Sequence, residues 1–280
     1  MSGMIEVDRR AFFATLGGAA AVAAMSSEAK ADALEDYLTQ QLNEGAAPAS
    51  GGSGPAKKFP TAAEIEADIE TRRFRRGVGT LFNSNNGNMK RLTPMPAKPT
   101  LTDYFNLRFN QVSNHVLQSA NKAMTSGMSE EIILACLLHD TVQQLIKVDH
   151  GWWGAQMYEP YVSEKVTFAI RYHQALRFYD DHAAGYTYPD LYRTIFGEDY
   201  KPEPYIEQTY KMVRAHKWYM APRQVTVNDL YAFEKGVNPK LEQFTDIIGR
   251  HFKQPKEGLG FDNSPVAHMW RSMNMPDHPL

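Results

Sequence analysis

Four histidines and an aspartate occur at positions that favour a metal centre. The stretch CLLHDTVQQLIKVDH, residues 136–150, places His139 and Asp140 side by side at the end of an apolar run and ends on His150. His115 precedes this stretch in SNHVLQSA, and His173 follows it in AIRYHQAL. Any one of these histidines, taken singly, is more often a core residue than a ligand. Packing alone does not easily explain the whole set.

Asp140 provides the chemical argument for metal. A carboxylate buried beside an imidazole needs charge compensation, and a cation is the usual remedy. Neighbouring helix residues point about 100° apart, so His139 and Asp140 can serve one site only if the helix end points into a bundle. That geometry favours a carboxylate that bridges two metals, one with His115 and His139 and the other with His150 and His173. Imidazole and carboxylate ligands without cysteine suit iron, manganese or zinc.

The segments that carry these residues have helical patterns. Apolar residues recur at intervals of three and four in LTDYFNLRFNQVSNHVLQSANKAM, and Ser129 and Ser163 are candidate N-caps for the two segments that follow. No strand pattern of useful length and no internal repeat occurs in the sequence. We therefore predict an all-α fold, with a helical bundle over residues 59–255 and an irregular tail over residues 256–280.

The first residues resemble an export signal. Arg9 and Arg10 precede a mild Ala-rich apolar stretch, and EAKAD supplies a small-residue cleavage pattern that ends at Ala31. The alternative is an ordinary amphipathic helix. We predict a twin-arginine-type signal peptide over residues 1–31, export to the periplasm and a flexible linker over residues 32–58. The apolar stretch is too short for a stable membrane anchor.

Composition narrows the function classes. The formal charge of -2 provides no positive field for nucleic acid, so we expect no nucleic-acid partner. The single cysteine, Cys136, rules out an internal disulfide framework. Its place in the apolar run IILACLL predicts a buried small hydrophobe rather than a reactive thiol.

The order of the His and Asp residues resembles that of a known family, the HD-domain superfamily. The histidines that follow the His139-Asp140 pair are similar to those of its mixed-valent diiron oxygenase branch, which includes myo-inositol oxygenase and 2-amino-1-hydroxyethylphosphonate dioxygenase. The similarity covers roughly residues 100–250, and the segment NDLY at 228–231 resembles the one that bears the last ligand of the branch. The resemblance implies two irons, Fe(II) and Fe(III), with manganese or another divalent metal as the alternative. The implied ligands are His115, His139, Asp140, His150, His173 and Asp229.

Asp229 is the least specific member of that set. The resemblance assigns it to the iron that also takes His115, His139 and Asp140. Its segment also contains His216 and lacks the aromatic-Asp dipeptide of many relatives. The alternative is that Asp229 only caps a helix that follows it.

Three further residues are candidates for substrate binding. Gln143 stands at the third position after the pair, where the inositol enzyme has a substrate-contacting Lys, which disfavours inositol as the substrate. Arg177 lies one turn after His173, where the phosphonate enzyme has a Lys, and its guanidinium could hold an anionic group and act in catalysis beside Asp140. The alternative for Arg177 is a surface ion pair with Asp180 or Asp181. Lys147 is a weaker candidate for the same role.

Two tryptophans directly follow His150. Trp152 and Trp153 are interpreted as an apolar wall that keeps water from a reactive site, and core packing explains them nearly as well.

The resemblance implies an oxygenase. Such an enzyme would use O2 to abstract hydrogen from a small hydroxylated substrate, with or without an anionic group, and C–C or C–P cleavage or hydroxylation would follow. The alternatives are a metal-dependent HD phosphohydrolase acting on a phosphate ester, and an exported binding or sensor protein with a relict metal site. The expected partners are a small-molecule substrate, O2 and the twin-arginine export machinery.

Overall fold

The computed structural model describes residues 7–44, 84–85, 88–89, 93, 100–109, 113–144, 149–198 and 200–253. The chain divides into two compact units, one with Met1–Ala47 and Phe109–Gln254 and the other with Pro48–Arg108 and Pro255–Leu280. All the predicted metal ligands belong to the first unit. The bundle expected over residues 59–255 is therefore divided, because its first part falls in the second unit and the N-terminal residues join the first.

The described part of the first unit is helical. Its helices are α1 (Arg9–Thr15), α2 (Ala19–Ala24), α3 (Ser27–Glu44), α5 (Ser113–Thr125), α6 (Glu130–Leu138), α7 (His150–Tyr158), α8 (Glu164–Leu176), α9 (Asp190–Phe196), α10 (Pro204–Arg214), α11 (Met220–Leu230) and α12 (Thr245–His251). Short 3₁₀ turns lie at Thr141–Gln144, His182–Ala184 and Leu241–Phe244. The prediction of an all-α bundle is confirmed for these residues.

The described part of the second unit is small. Helix α4 (Leu101–Leu107) begins with a capping box, in which Thr100 and Asp103 each bond the other's main-chain N–H group. A two-residue antiparallel pair, β1 (Ser84–Asn85) and β2 (Asn88–Met89), joins Ser84 to Met89 and Asn85 to Asn88. The helix predicted for TAAEIEADIETRRF and the tail at 256–280 lie outside the described residues.

Helices α6 and α8 form the centre of the first unit. Every residue of α6 from Ile132 to Leu138 is buried, because this helix packs against α5 on one side and α8 on another. Helix α8 also packs against α7 and α11. The predicted N-caps are present, Ser129 before α6 and Ser163 before α8, and the Ser163 hydroxyl accepts a hydrogen bond from the Val166 N–H. These packed helices carry all the candidate ligands or lie next to them.

The N-terminal residues pack into the same unit. Phe12 of α1 and Leu34 and Leu38 of α3 are buried in one hydrophobic cluster with Phe178 and Tyr192. Residues 32–44, where we expected a flexible linker to begin, instead form most of α3. Residues 45–58 of that predicted linker lie outside the described residues. Helix α3 also runs without a break across the cleavage position predicted after Ala31.

Within the residues that the structure describes, no helix combines the length and the apolar character needed to cross a bilayer.

Candidate metal centre

The ends of several helices bring the candidate ligands together. His139 is the C-cap of α6 and Asp140 follows it in the turn, so the pair lies at a helix end directed into the bundle, as the bridging geometry requires. His150 is the first residue of α7, and Asp149 before it has a left-handed φ of 55°. The remaining ligands lie within helices. These are His115 in α5, His173 in α8 and Asp229 in α11.

The first group of ligands contains four residues whose side chains are fully buried. His115 Nε2 lies 3.2 Å from Asp140 Oδ2 and 3.1 Å from Asp229 Oδ1. His139 Nε2 lies 3.4 Å from the same Asp229 oxygen. Asp229 lies inside α11 rather than before a helix. The structure therefore does not support the alternative that Asp229 only caps a following helix.

The second group shares Asp140 with the first. Asp140 Oδ1 lies 2.9 Å from His150 Nε2 and 3.5 Å from His173 Nε2. The other Asp140 oxygen faces His115 in the first group. His139 Nε2 also lies 3.5 Å from Asp140 Oδ1, so among the four histidines only His115 faces the other oxygen. The two groups contain the pairs of histidines that the sequence predicted, and Asp140 belongs to both.

Main-chain carbonyls orient three of the four imidazole rings. The Nδ1 atom of His139 lies 2.7 Å from the Cys136 carbonyl oxygen, that of His173 lies 2.6 Å from the Ile170 oxygen, and that of His115 lies 3.3 Å from the Ala232 oxygen. A carbonyl oxygen can only accept, so each Nδ1 carries the proton. Each Nε2 is then the ring nitrogen that points at the carboxylates and is left to coordinate a metal, in competition with a proton.

The polar atoms between these residues are unsatisfied by hydrogen bonds. Within the described part of the chain, the Nε2 atoms of His115, His139 and His173 are buried and have no hydrogen-bond partner, and neither do Asp140 Oδ1 and both oxygens of Asp229. Buried polar groups are nearly always paired, because an unpaired one costs about 1–3 kcal/mol. Metal coordination would satisfy these atoms. The two groups could hold metal ions, and the donor set fits such ions chemically.

The electrostatics of the first group favour a cation. Burial disfavours a charged imidazole at His115, but the Asp140 and Asp229 carboxylates outweigh burial and raise the pKa of His115 to about 10. Burial also opposes charge on Asp140, yet His139 and His150 hold the pKa of that carboxyl well below its ordinary value. Both effects mean that positive charge is stabilised in the space between these side chains, and either a proton or a metal ion can supply it.

Arg177 has partners other than the predicted ones. It is fully buried at the end of α8, and its guanidinium binds Asp32 at 2.6 Å, Glu28 at 3.4 Å and Glu35 in a short contact. Both terminal nitrogens are therefore taken by carboxylates of α3. The geometry does not support the predicted role of Arg177 in catalysis or in holding an anionic substrate, nor does it show the alternative pairing with Asp180 or Asp181.

Of the other two substrate-binding candidates, Gln143 and Lys147, only Gln143 is among the described residues. Gln143 is buried in the turn after Asp140, where its side-chain amide donates to Glu35 Oε2 at 3.1 Å and lies 3.4 Å from His150 Nε2. It therefore lies beside the second group, and its predicted role in substrate binding stays a prediction. Lys147 lies outside the described residues.

Of the two tryptophans after His150, Trp152 lies at the surface. Trp152 is 40% exposed and Trp153 is half-buried, with their rings in an edge-to-face contact at 4.7 Å. Arg171 lies over Trp152, at 5.9 Å from its ring centroid. The expectation of a water-excluding wall is therefore wrong for Trp152. It lies two residues after His150 in the first turn of α7, so it points about 200° away from that ligand around the helix.

A glycine permits the close approach of α7 and α8 beside the ligands. A Cβ atom at Gly151 would lie 2.8 Å from the Ile170 carbonyl oxygen and 3.1 Å from His173 Cε1. Any side chain there would separate His150 from His173. Cys136 is buried as predicted, and burial raises the pKa of its thiol to about 12.

Sequence reasoning missed the acidic face of α3. Glu28, Asp32 and Glu35 are spaced four and three residues apart, which places them on one side of a helix. All three are buried, and burial outweighs the Arg177 charge to raise the pKa of Glu35 to about 8. The spacing of these acids indicates a helix face, in conflict with the signal peptide and linker predicted for the same segment.

No known protein-family profile matches the chain, and a search of curated proteins found no match either. Membership of the HD-domain superfamily therefore stays a prediction.

Proposed function

We propose that the protein is a non-haem diiron oxygenase of HD-domain type that uses O2 to oxidise a small hydroxylated substrate. The observation that carries the proposal is the shared carboxylate of Asp140, which faces His115 through one oxygen and His150 and His173 through the other. Four imidazoles and two carboxylates around such a bridge suit a pair of irons. A pair of irons, when bound, would supply the activation of O2.

The protein's own residues would hold and orient that pair. His115, His139 and Asp229 would complete one side of the Asp140 bridge, and His150 and His173 the other. The carbonyl contacts at Nδ1 keep the rings in the ligand tautomer, which lowers the reorganisation needed on binding. Complete burial of these side chains keeps bulk water from them.

The polar group best placed for substrate is the Gln143 amide. It lies beside His150 in the second half of the centre, and its amide can exchange hydrogen bonds with a substrate hydroxyl. Because Arg177 is held by three carboxylates, we expect a neutral hydroxylated substrate in preference to an anionic one.

We also propose export by the twin-arginine route. Arg9 and Arg10 are exposed at the start of α1, where the export machinery can reach them. This route carries folded proteins, which is compatible with a metal centre assembled in the cytoplasm.

Anaerobic purification tests the proposal. Iron analysis of the full chain should give two irons, EPR or Mössbauer spectra should show a mixed-valent pair, and O2 should be consumed with members of a panel of small hydroxylated compounds. Absence of the mixed-valent signal together with absence of O2 uptake would sink the oxygenase proposal. Hydrolysis of p-nitrophenyl phosphate would favour the phosphohydrolase, and metal binding without any turnover would favour the sensor.

A further inference from the structure

A layer of hydrogen-bonded side chains lies behind the second group of ligands. Its outer part is the acidic face of α3, formed by Glu28, Asp32 and Glu35 around the Arg177 guanidinium. Three buried carboxylates face one buried guanidinium, so the layer has more acids than bases. Such an arrangement needs a reason beyond stability, because buried ion pairs contribute little net stability over apolar packing.

Gln174 connects this acidic face to the helix that carries His150. Its amide nitrogen lies 3.2 Å from both Glu28 Oε2 and Asp32 Oδ1, and its amide oxygen accepts from the Gly151 N–H at 2.8 Å. Gly151 directly follows His150 in the first turn of α7. The position of that turn is therefore set by a side chain that α3 itself holds.

Two further contacts bring α3 close to the His150 ring. Gln143 donates to Glu35 Oε2 at 3.1 Å while its nitrogen lies 3.4 Å from His150 Nε2. Asp32 Oδ1 lies 3.9 Å from His150 Nδ1. The other oxygen, Asp32 Oδ2, is buried and has no hydrogen-bond partner within the described residues. This carboxylate lies on the side of the ring opposite the metal-facing nitrogen, where carboxylates commonly orient a histidine ligand.

The two halves of the centre thus differ in what supports them. In the first half, main-chain carbonyls of Ala232 and Cys136 hold the rings of His115 and His139. In the second half the Ile170 carbonyl holds His173 in the same way, but the groups around His150 are side chains that depend on α3. The difference predicts that a change in α3 affects the metal ion beside His150 more than the other ion.

We propose that the acidic face of α3 positions His150, a ligand of the second metal ion, with Asp32 as the main positioning residue, and that the N-terminal segment is therefore retained in the active protein. This inference rests on the proposed two-metal centre. It adds a role for residues that the sequence assigned to a cleaved signal and a linker.

Retention of the segment follows from what cleavage would remove. A cut after Ala31 deletes Glu28 and the first turn of α3, and it makes Asp32 the first residue with a charged amino group beside its carboxylate. It also removes Phe12, which is buried in the hydrophobic cluster with Leu34 and Leu38. The chain that binds both ions is therefore expected to begin before Glu28.

Metal titration of the full-length chain tests the positioning role. Metal-free protein is titrated anaerobically with Fe²⁺ and, as a spectroscopic probe, with Co²⁺. In Asp32→Asn we expect one of two ions to bind about 10- to 100-fold more weakly, with its Co²⁺ absorption bands changed, while the affinity for the other ion changes much less. The matched control is Asp36→Asn, which changes an aspartate of the same helix that bonds Gln40. It should bind both ions as wild type does.

The outcomes separate the two proposals. Wild-type affinity for both ions in a folded Asp32→Asn variant overturns the role of α3. If circular dichroism shows that Asp32→Asn does not fold, Glu28→Gln is tested in its place. Glu28 holds Gln174 but makes only a 3.4 Å contact with Arg177, so its replacement should disturb the fold less. It should weaken the same single ion, and unchanged binding refutes the proposal. A wild-type chain that binds fewer than two ions refutes the two-metal centre itself.

Mass spectrometry of the protein from the cells that produce it tests retention. Chains with both ions should contain Glu28 and the residues before it. A chain that begins at Asp32 and binds both ions with the affinity of the full chain would show that α3 is dispensable.

Discussion

His115 Nε2 lies 3.1 Å from Asp229 Oδ1, although the two side chains come from helices α5 and α11. Neither atom makes a hydrogen bond within the described residues. Two buried groups that face each other at this distance without a hydrogen bond are compatible with metal binding. Asp140 Oδ1 and His173 Nε2 are likewise 3.5 Å apart, and neither makes a hydrogen bond within the described residues.

Replacement of Asp140 should remove both metal ions. Asp140→Ala deletes the carboxylate shared by the two groups, so we expect metal content to fall from two ions per chain to fewer than one. Inductively coupled plasma mass spectrometry of the purified chain measures this. Asp190→Asn, at a fully exposed aspartate, is the control and should retain both ions. Full metal content in Asp140→Ala would contradict the bridge.

Single histidine replacements should separate the two groups. His115→Ala removes a ligand of the first group only, and His173→Ala removes one of the second only. We expect about one bound ion in each variant by metal analysis, because typical ligand loss costs at least one to two orders of magnitude in affinity. His182→Ala, at an exposed histidine, should leave the metal content unchanged. Loss of both ions from either variant would argue against two separable groups.

Gly151 should tolerate no side chain. A Cβ atom would lie 2.8 Å from a main-chain oxygen of α8, so Gly151→Ala should lower the free energy of unfolding by about 1–3 kcal/mol. Urea denaturation measures the change. Gly249→Ala is the control, because Gly249 lies in α12 with open space around its Cα. That substitution should raise stability by about 0.5–1 kcal/mol. Equal effects at the two sites would refute the close approach.

The buried guanidinium should be essential to the fold. Arg177→Met leaves the carboxylates of Glu28, Asp32 and Glu35 buried without their cation, so we expect a loss of about 3–5 kcal/mol in the free energy of unfolding. Arg171→Met, at a half-buried arginine of the same helix, should change it by less than about 1 kcal/mol. A stable Arg177→Met protein with weakened substrate binding would instead restore the anion-binding role predicted from sequence.

Protonation of Glu130 at acidic pH should lower the free energy of unfolding. This residue begins α6 and binds Arg250 at 2.7 Å and His251 at 2.8 Å, and these contacts lower the pKa of Glu130 from 4.5 to about 2. A carboxyl whose folded pKa is depressed stabilises the protein above its unfolded pKa, and that contribution is lost as pH falls from 4.5 towards 2.

Thermal unfolding from pH 7 to pH 2 measures this contribution. Glu130→Gln should lower the melting temperature at neutral pH and converge with wild type at the acidic end. Glu242→Gln, at an exposed glutamate near α12, should follow the wild-type profile throughout. A constant difference between Glu130→Gln and wild type at all pH values would contradict the assigned cause.

The spacing of ligand-type residues predicted the grouping of the centre because each histidine lies in a segment with a clear helical pattern. His139 and Asp140 were expected at an inward helix end, and the end of α6 has that position. Long-range pairing could not be predicted in the same way. The contacts of Arg177 with α3 depend on how distant helices pack, which local patterns do not encode.

The N-terminal segment contains two sequence patterns that predict different structures. Its paired arginines and small residues fit an export signal, while Phe12, Glu28, Asp32 and Glu35 fit a packed helical region. Both patterns are present in the sequence. Composition alone could not reveal that the acids face a cation in α8, because that cation is far away along the chain. The exposure of Trp152 could not be predicted for a related reason. The side of α7 on which this residue lies depends on where that helix begins.

The single carboxylate of Asp140 has a thermodynamic consequence for the order of loading. An ion bound in one half would fix the rotamer of a side chain that the other half also needs, and it would withdraw negative charge from the second oxygen. The first effect favours the second ion and the second effect opposes it, so the two loading steps are energetically coupled. By linkage the coupling is reciprocal, so each ion changes the affinity for the other by the same factor. The centre should therefore load cooperatively or anticooperatively, with an isotherm that two independent sites do not fit.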